Sequence, residues 1–272
     1  MSWVEALILG AVQGLSEFLP ISSTAHLVLV EKLLGLSAAS LVLEIILHFG
    51  SAAALVLFFR KDLYFLLRGA FLFLFKKQRE YRAEFLFCAY MFLATVMTGF
   101  FGVLLKDALD ASLKSPQVLG AAFGLTGVLL CVLDFAKING SKNQDQMTWR
   151  DAFWVGVAQT IAVIPGVSRS GATLLMSLFR GLDKDLAVRF SFFLAIPVIL
   201  GSSVLGIRDW NPEEMSGISF EALALGLLTS FVFSIIGIIW LIDFVRKSRL
   251  YLFGIYCLIL SGCCFVFKDY FS

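Results

Sequence analysis

Two short stretches of this chain place nucleophiles, acids and a guanidinium beside a helix break. The first reads Gln13-Gly-Leu-Ser-Glu17-Phe-Leu-Pro20-Ile-Ser22-Ser23-Thr24-Ala-His26, and the second reads Pro165-Gly-Val-Ser168-Arg169-Ser170-Gly171-Ala-Thr173. In each, a helix restarts after a proline, with Ser or Thr at the position preferred for the cap. The free N–H groups and positive dipole end of such a helix start attract anions. Two such starts, converging, would hold a phosphate or diphosphate, with Ser22, Thr24, Ser168, Ser170 and Thr173 as candidate contacts. Arg169 adds a planar fork of donors that matches phosphate oxygens.

Ser23 and His26 are three residues apart, so on a helix beginning near Ser22 they share a face. That spacing suits a nucleophilic hydroxyl with its base, or a nucleophilic imidazole with a supporting hydroxyl. Glu17, across the proline, is placed to hold the imidazole, accept a proton or bind a divalent cation. Each ionisable group near a membrane centre costs roughly 2.5 to 3.5 kcal/mol on insertion scales, so packing alone is a poor reason to keep Glu17, His26 and Arg169 there. The other histidine, His48, follows Glu44 by four residues, and the spacing predicts a structural pair on one helix face. Gln13 and Gln159 read either as part of the site or as partners for backbone groups freed at the breaks.

The elements that must carry these residues are membrane helices. Of 272 residues, 59% are hydrophobic and 15% charged, against about 25% charged in soluble domains, and the mean hydropathy is +0.89. Apolar runs near 41–59, 84–105, 117–136, 190–207, 219–244 and 250–267 approach the roughly 20 residues that span a hydrocarbon core. The first dozen residues include Glu5 and lack a basic leader, so they do not read as a cleaved signal peptide. The five cysteines lie in apolar runs without metal-ligand spacing. A net charge of +2 and the lack of a long basic cluster argue against nucleic acid as a partner.

The chain also repeats itself. Ser2 to Gln13 matches Thr148 to Gln159 at an offset of 146, with identical Trp3/Trp149, Ala6/Ala152, Gly10/Gly156 and Gln13/Gln159. Pro20-Ile-Ser-Ser then pairs with Pro165-Gly-Val-Ser after a slip of one residue, and Gly35-Leu36 pairs with Gly181-Leu182. Segments 3–34 and 149–180 read as re-entrant helix hairpins. Lys and Arg gather at 60–82, 137–150 and 246–249, which places those loops in the cytoplasm. Lys106 to Lys114 is charge-balanced and Arg208 to Glu214 is acidic, which suits the outer side.

Three crossings between the hairpins make the arrangement an inverted repeat, 1–136 and 148–268, with both tips at one wet cavity near the midplane. The expected fold is an all-α membrane protein of six transmembrane helices plus two re-entrant hairpins. Segment 63–75, with Arg68 at its middle, reads as lying flat at the cytoplasmic surface or dipping into it.

The two motifs resemble those of the bacterial undecaprenyl pyrophosphate phosphatases of the bacitracin-resistance type, and length and span pattern agree along the full chain. The resemblance implies a hydrolase that converts undecaprenyl diphosphate to undecaprenyl phosphate for peptidoglycan synthesis. It implies the bacterial cytoplasmic (inner) membrane, with the site facing the periplasm. It also implies functional roles for Glu17, Ser23, His26 and Arg169. The family often has a glutamate where this chain has Gln13, which weakens the case for a two-carboxylate Mg or Ca site in which Glu17 would be a ligand. Expected partners are the isoprenoid diphosphate lipid, the surrounding membrane lipid and a second copy in a homodimer. The competing reading is a carrier that moves isoprenoid phosphate lipids between leaflets. It has no need for the Ser23/His26 pair.

Overall fold

The computed structural model describes residues 1–36, 41–105, 115–138, 140–208 and 218–267. The outer loops read at Lys106 to Lys114 and around Asp209, Glu213 and Glu214 lie outside the described residues. Among the described residues the chain is helical and has no strand beyond an isolated bridge between Lys142 and Leu182.

The first half runs α1 (Trp3–Phe18), α2 (Ser23–Leu33), α3 (Leu41–Phe58), α4 (Arg60–Lys76), α5 (Arg82–Leu105) and α6 (Pro116–Phe135). The second half runs α7 (Trp149–Ile161), α8 (Arg169–Phe179), α9 (Lys184–Arg208), α10 (Phe220–Arg246) and α11 (Leu250–Val266). Helices α3, α5, α6, α9 and α10 are long and apolar enough to cross a membrane, and α11 is a shorter apolar helix of 17 residues. The chain is a multi-pass helical membrane protein. Helix α9 starts at Lys184, ahead of the span expected from 190, because Asp183 accepts the Leu186 N–H at 2.8 Å and caps it.

The sequence matches between the halves fall on matched structural positions. Ser2 and Glu5 close a capping box at the start of α1. At the start of α7, the Thr148 N–H and hydroxyl donate to Asp151 at 3.0 and 2.8 Å. Helices α2 and α8 are both 11 residues long and are capped by Ser22 and Ser168. Each then ends on a left-handed glycine, Gly35 at φ 68° and Gly181 at φ 84°. The Leu36 and Leu182 N–H groups reach back to the carbonyls of Glu31 and Ser177. That closure needs a residue without a Cβ penalty.

Close packing comes from small residues. A Cβ on Gly10 would lie 2.6 Å from the Gly226 carbonyl oxygen of α10, and one on Gly14 would strike the Ser230 carbonyl. Between α3 and α10, Ser51 bonds Ser230 and Ser234 at 3.0 and 2.9 Å. We expect Gly14→Leu to force α1 off α10 and lower the detergent melting temperature by several degrees, since overpacking typically costs about 1–3 kcal/mol. An unchanged melting temperature would contradict this packing.

The three basic loops meet at one end. Arg189 faces Asp62 at 3.6 Å, Arg246 bonds Asp185 at 3.0 Å, and Lys142 pairs through its backbone with Gly181 and Asp183. Helix α4 follows α3 after Phe59 and packs through Gly69 on Glu84 of α5. Its aromatic side chains, Tyr64, Phe65, Phe71 and Phe75, stay exposed.

Candidate active site

The site begins with the two helix breaks. Helix α1 stops at Phe18, Pro20 follows, and Ser22 takes φ 68° before α2 restarts. A serine in that left-handed region is an outlier held by its surroundings. Helix α7 ends at Ile161, Gly166 turns at φ 92°, and α8 restarts at Arg169. A Cβ at Gly166 would crowd Ala122 of α6 at 2.8 Å, so this turn also needs glycine.

The breaks touch each other. The Ser170 hydroxyl donates to the Leu19 carbonyl at 2.9 Å, and Arg169 donates to Glu17 Oε1 at 2.7 Å. Ser168 accepts the Gly171 N–H at 3.1 Å and lies 3.1 Å from the Ser170 hydroxyl.

Glu17, 6% exposed, is the hub. Its Oε2 accepts from Gln13 Nε2 at 2.9 Å and from the Ser23 hydroxyl at 2.6 Å. His48 Nε2 approaches the same oxygen at 3.5 Å. The bond to Ser23 orients that hydroxyl: its hydrogen points at the carboxylate and its lone pairs are left for the adjoining space. That space is a cavity of about 350 Å³ lined by Glu17, Ser22, Ser23, Thr24, His48, Ser168, Arg169 and Ser170 among others.

Three geometric expectations need correction. Ser23 does not pair with His26: the imidazole Nδ1 sits 2.8 Å from the Ser22 carbonyl and Nε2 sits 2.8 Å from the Tyr256 hydroxyl. The ring stacks on Tyr256 and meets Phe123 edge-on, and it is not among the cavity-lining residues. Second, His48 does not pair with the Glu44 side chain. Its Nδ1 lies 2.7 Å from the Glu44 carbonyl, so the partner is backbone and Nε2 is free to face Glu17. Third, Gln13 and Gln159 do not serve the broken backbone; they donate to the side chains of Glu17 and Thr98.

Gln13 and Thr173 also lie off the cavity wall; the Thr173 hydroxyl is taken up by the Arg169 carbonyl and Ser191. The residue that sequence reasoning did not bring to this cavity is His48, which lines it and faces Glu17.

The amide orientations follow from their partners. A carboxylate only accepts, so Gln13 turns its NH₂ to Glu17. Thr98 already gives its hydrogen to the Ala94 carbonyl, so Gln159 turns its NH₂ to Thr98. Both amide oxygens are thereby left buried without a partner.

These residues do not fit a resident Mg or Ca ion. Such an ion takes about six or more oxygens, yet both Glu17 oxygens already receive donors, and no group of three acidic, His or Cys ligands occurs among the described residues.

A buried carboxylate that joins a hydroxyl, a guanidinium and an imidazole at a cavity defines a membrane protein equipped to bind an anion and move a proton. The chain matches the family described as bacitracin resistance protein BacA over residues 6–263 and belongs to it. It is similar to undecaprenyl-diphosphatase 1 of Shouchella clausii, 42% identical over 99% of this chain and 98% of that one. It is also similar to undecaprenyl-diphosphatase 2 of Halalkalibacterium halodurans, 43% identical with the same coverage. The undecaprenyl-diphosphatase of Oceanobacillus iheyensis is 35% identical over 97% of this chain and 96% of that one.

Proposed function

We propose that this chain hydrolyses undecaprenyl diphosphate to undecaprenyl phosphate and inorganic phosphate, recycling the lipid carrier for peptidoglycan synthesis and conferring bacitracin resistance. The observation that carries the reading is a buried Glu17 bonded at once to Ser23 and Arg169 on one cavity. Arg169 and the N-terminal N–H groups of α2 and α8 hold the diphosphate oxygens, supplying the charge neutralisation that phosphoryl transfer chiefly needs. Ser23 attacks the terminal phosphorus as its O–H bond breaks and the proton passes to Glu17. The P–O bond to the prenyl phosphate then breaks, and the electron pair leaves with that product. Water cleaves the phosphoserine, giving inorganic phosphate, and the Ser23 oxygen recovers a proton from Glu17.

In this reading 1–136 and 148–268 are inverted repeats in the bacterial cytoplasmic membrane, with the basic end inside and the cavity open to the periplasm. Two observations support it: three of the helices between the hairpins, α3, α5 and α6, are long and apolar enough to cross a membrane, and all three basic loops gather at one end. Aiming the Ser23 hydrogen at a carboxylate serves chemistry and would be idle in a lipid carrier. The test is phosphate release from farnesyl diphosphate by purified protein in detergent, where transport has no meaning. Steady release is expected, and its absence with intact folded protein would overturn the assignment.

His26 is a positioning residue in this scheme, tying the strained Ser22 turn to Tyr256. His26→Ala should lower turnover by about 10-fold or more, in the range of losses from misplacement. His26→Gln, which can still donate to the Ser22 carbonyl, should recover a good part of it. Equal inactivity of the two variants would make the imidazole itself a participant.

A further inference from the structure

The hydrolytic step needs a group to take a proton from water, and by then Glu17 already holds the one that Ser23 gave up. Among the described residues, those on the cavity wall that ionise are Glu17, Glu44, His48 and Arg169. A guanidinium has no lone pair to offer a proton. Glu44 lies one turn before His48 on α3, about 6 Å along the helix axis. His48 is the one that faces Glu17 directly.

The tautomer of His48 follows from its partners. The Glu44 carbonyl, 2.7 Å from Nδ1, only accepts, so Nδ1 carries the hydrogen of the neutral ring. Nε2 then presents a lone pair, 3.5 Å from Glu17 Oε2 and beyond ordinary hydrogen-bond length. The His48 side chain is 24% exposed against 5% for Glu17, so water reaches the imidazole where the carboxylate is walled in by its donors. The Ser23 hydroxyl and Nε2 stand 2.6 and 3.5 Å from the same Glu17 oxygen, and those lengths laid end to end keep the two within 6.1 Å of each other. That span admits a phosphoryl group on Ser23, a water about 3–3.5 Å from its phosphorus and a base about 2.6–3.2 Å from that water.

The ring is also held in place. On one side of it the Leu47 carbonyl accepts from Ser230 of α10 at 2.7 Å, and on the other the Ser51 and Ser230 hydroxyls lie 3.0 Å apart.

We propose that His48 is the general base of the second half-reaction, drawing a proton from the water that cleaves the phosphorylated Ser23. The proposal rests on the phosphatase reading above, which supplies the phosphoserine. The water oxygen bonds to phosphorus as its proton passes to Nε2. The bond from phosphorus to Oγ breaks, its electron pair stays on Oγ, and Oγ takes the proton held by Glu17. Hydrogen phosphate leaves, and the imidazolium gives its proton to solvent.

The test follows farnesyl phosphate and inorganic phosphate separately by rapid quench, with purified His48→Ala and His48→Gln and with farnesyl diphosphate labelled in its terminal phosphate. Steady phosphate release should fall about 10²-fold or more, the loss typical of a missing general base. The first turnover should still release about one farnesyl phosphate per chain, leaving the label on Ser23, where peptide mass mapping finds it. Added imidazole should restore part of the release in His48→Ala. His48→Gln, which can still donate to the Glu44 carbonyl, should accumulate label in the same way and serves alone if the Ala variant does not fold. Phosphate release near wild type in His48→Gln would reduce His48 to a positioning residue and overturn the proposal. So would a parallel fall of both products without label on Ser23, or the same accumulation in Glu44→Gln but not in the His48 variants. Wild-type protein that releases no phosphate would refute the phosphatase reading instead, a distinct result.

Discussion

Glu17→Gln should cut phosphate release by about 10²–10⁴-fold, the range typical of a lost general base. The substitution keeps the side chain's volume but not its acceptors. One of the two terminal positions becomes an NH₂, which then faces the donors of Ser23 and Gln13 on one side or Arg169 on the other. Ser23 no longer has a carboxylate to take its proton, and the guanidinium is left without its counter-charge. Breaking one partner of a buried ion pair costs about 3–5 kcal/mol, so the variant should also melt earlier in detergent. Phosphate release and a thermal melt on the same preparation check both. Activity within 10-fold of wild type would remove Glu17 from the chemistry.

The second large effect belongs to Arg169. Arg169→Ala should lower kcat/KM by about 10²–10³-fold, comparable with losing one preorganised transition-state donor. It also strips Glu17 of its cationic partner, 14% exposed in the pair. Arg169→Lys separates charge from shape: a point charge can pair with Glu17, yet it lacks the fork that spans two phosphate oxygens. The Lys variant should therefore fall between wild type and Ala, with the larger share of its defect in kcat. Full activity with lysine would mean that the planar donor arrangement is unnecessary.

Much of this was legible in the chain because local rules governed it. The breaks at Pro20 and Pro165, the serine caps and the apolar runs all act within a few residues of themselves. Glu17 and Arg169 were readable as candidates because charge in lipid needs a reason. Their direct contact depends on two hairpins 152 residues apart in the bond, which repeat symmetry suggested but local spacing could not place.

The pairing of Ser23 with His26 failed for a geometric reason. Residues three apart on a helix still differ by about 60° around its axis. At the first turn of α2 that angle separates the cavity from an aromatic pocket, so Ser23 meets Glu17 while His26 meets Tyr256 and Phe123. His48 escaped notice for a related reason: its i−4 neighbour offered a carboxylate partner, and the ring took the backbone carbonyl instead. Which way Nε2 then points is set by how α3 packs against α10 and α1, a tertiary fact. The Gln159–Thr98 bond spans 61 residues and likewise has no local signature.

Phosphate release from farnesyl diphosphate by the Glu17→Gln/Ser23→Ala double variant, set beside the two single variants, tests most directly whether one carboxylate activates this serine. Because the two side chains would act as a unit, the double variant should be no slower than the worse single variant. Losses that multiply would show that Glu17 and Ser23 work independently, and the mechanism proposed for this site would be wrong.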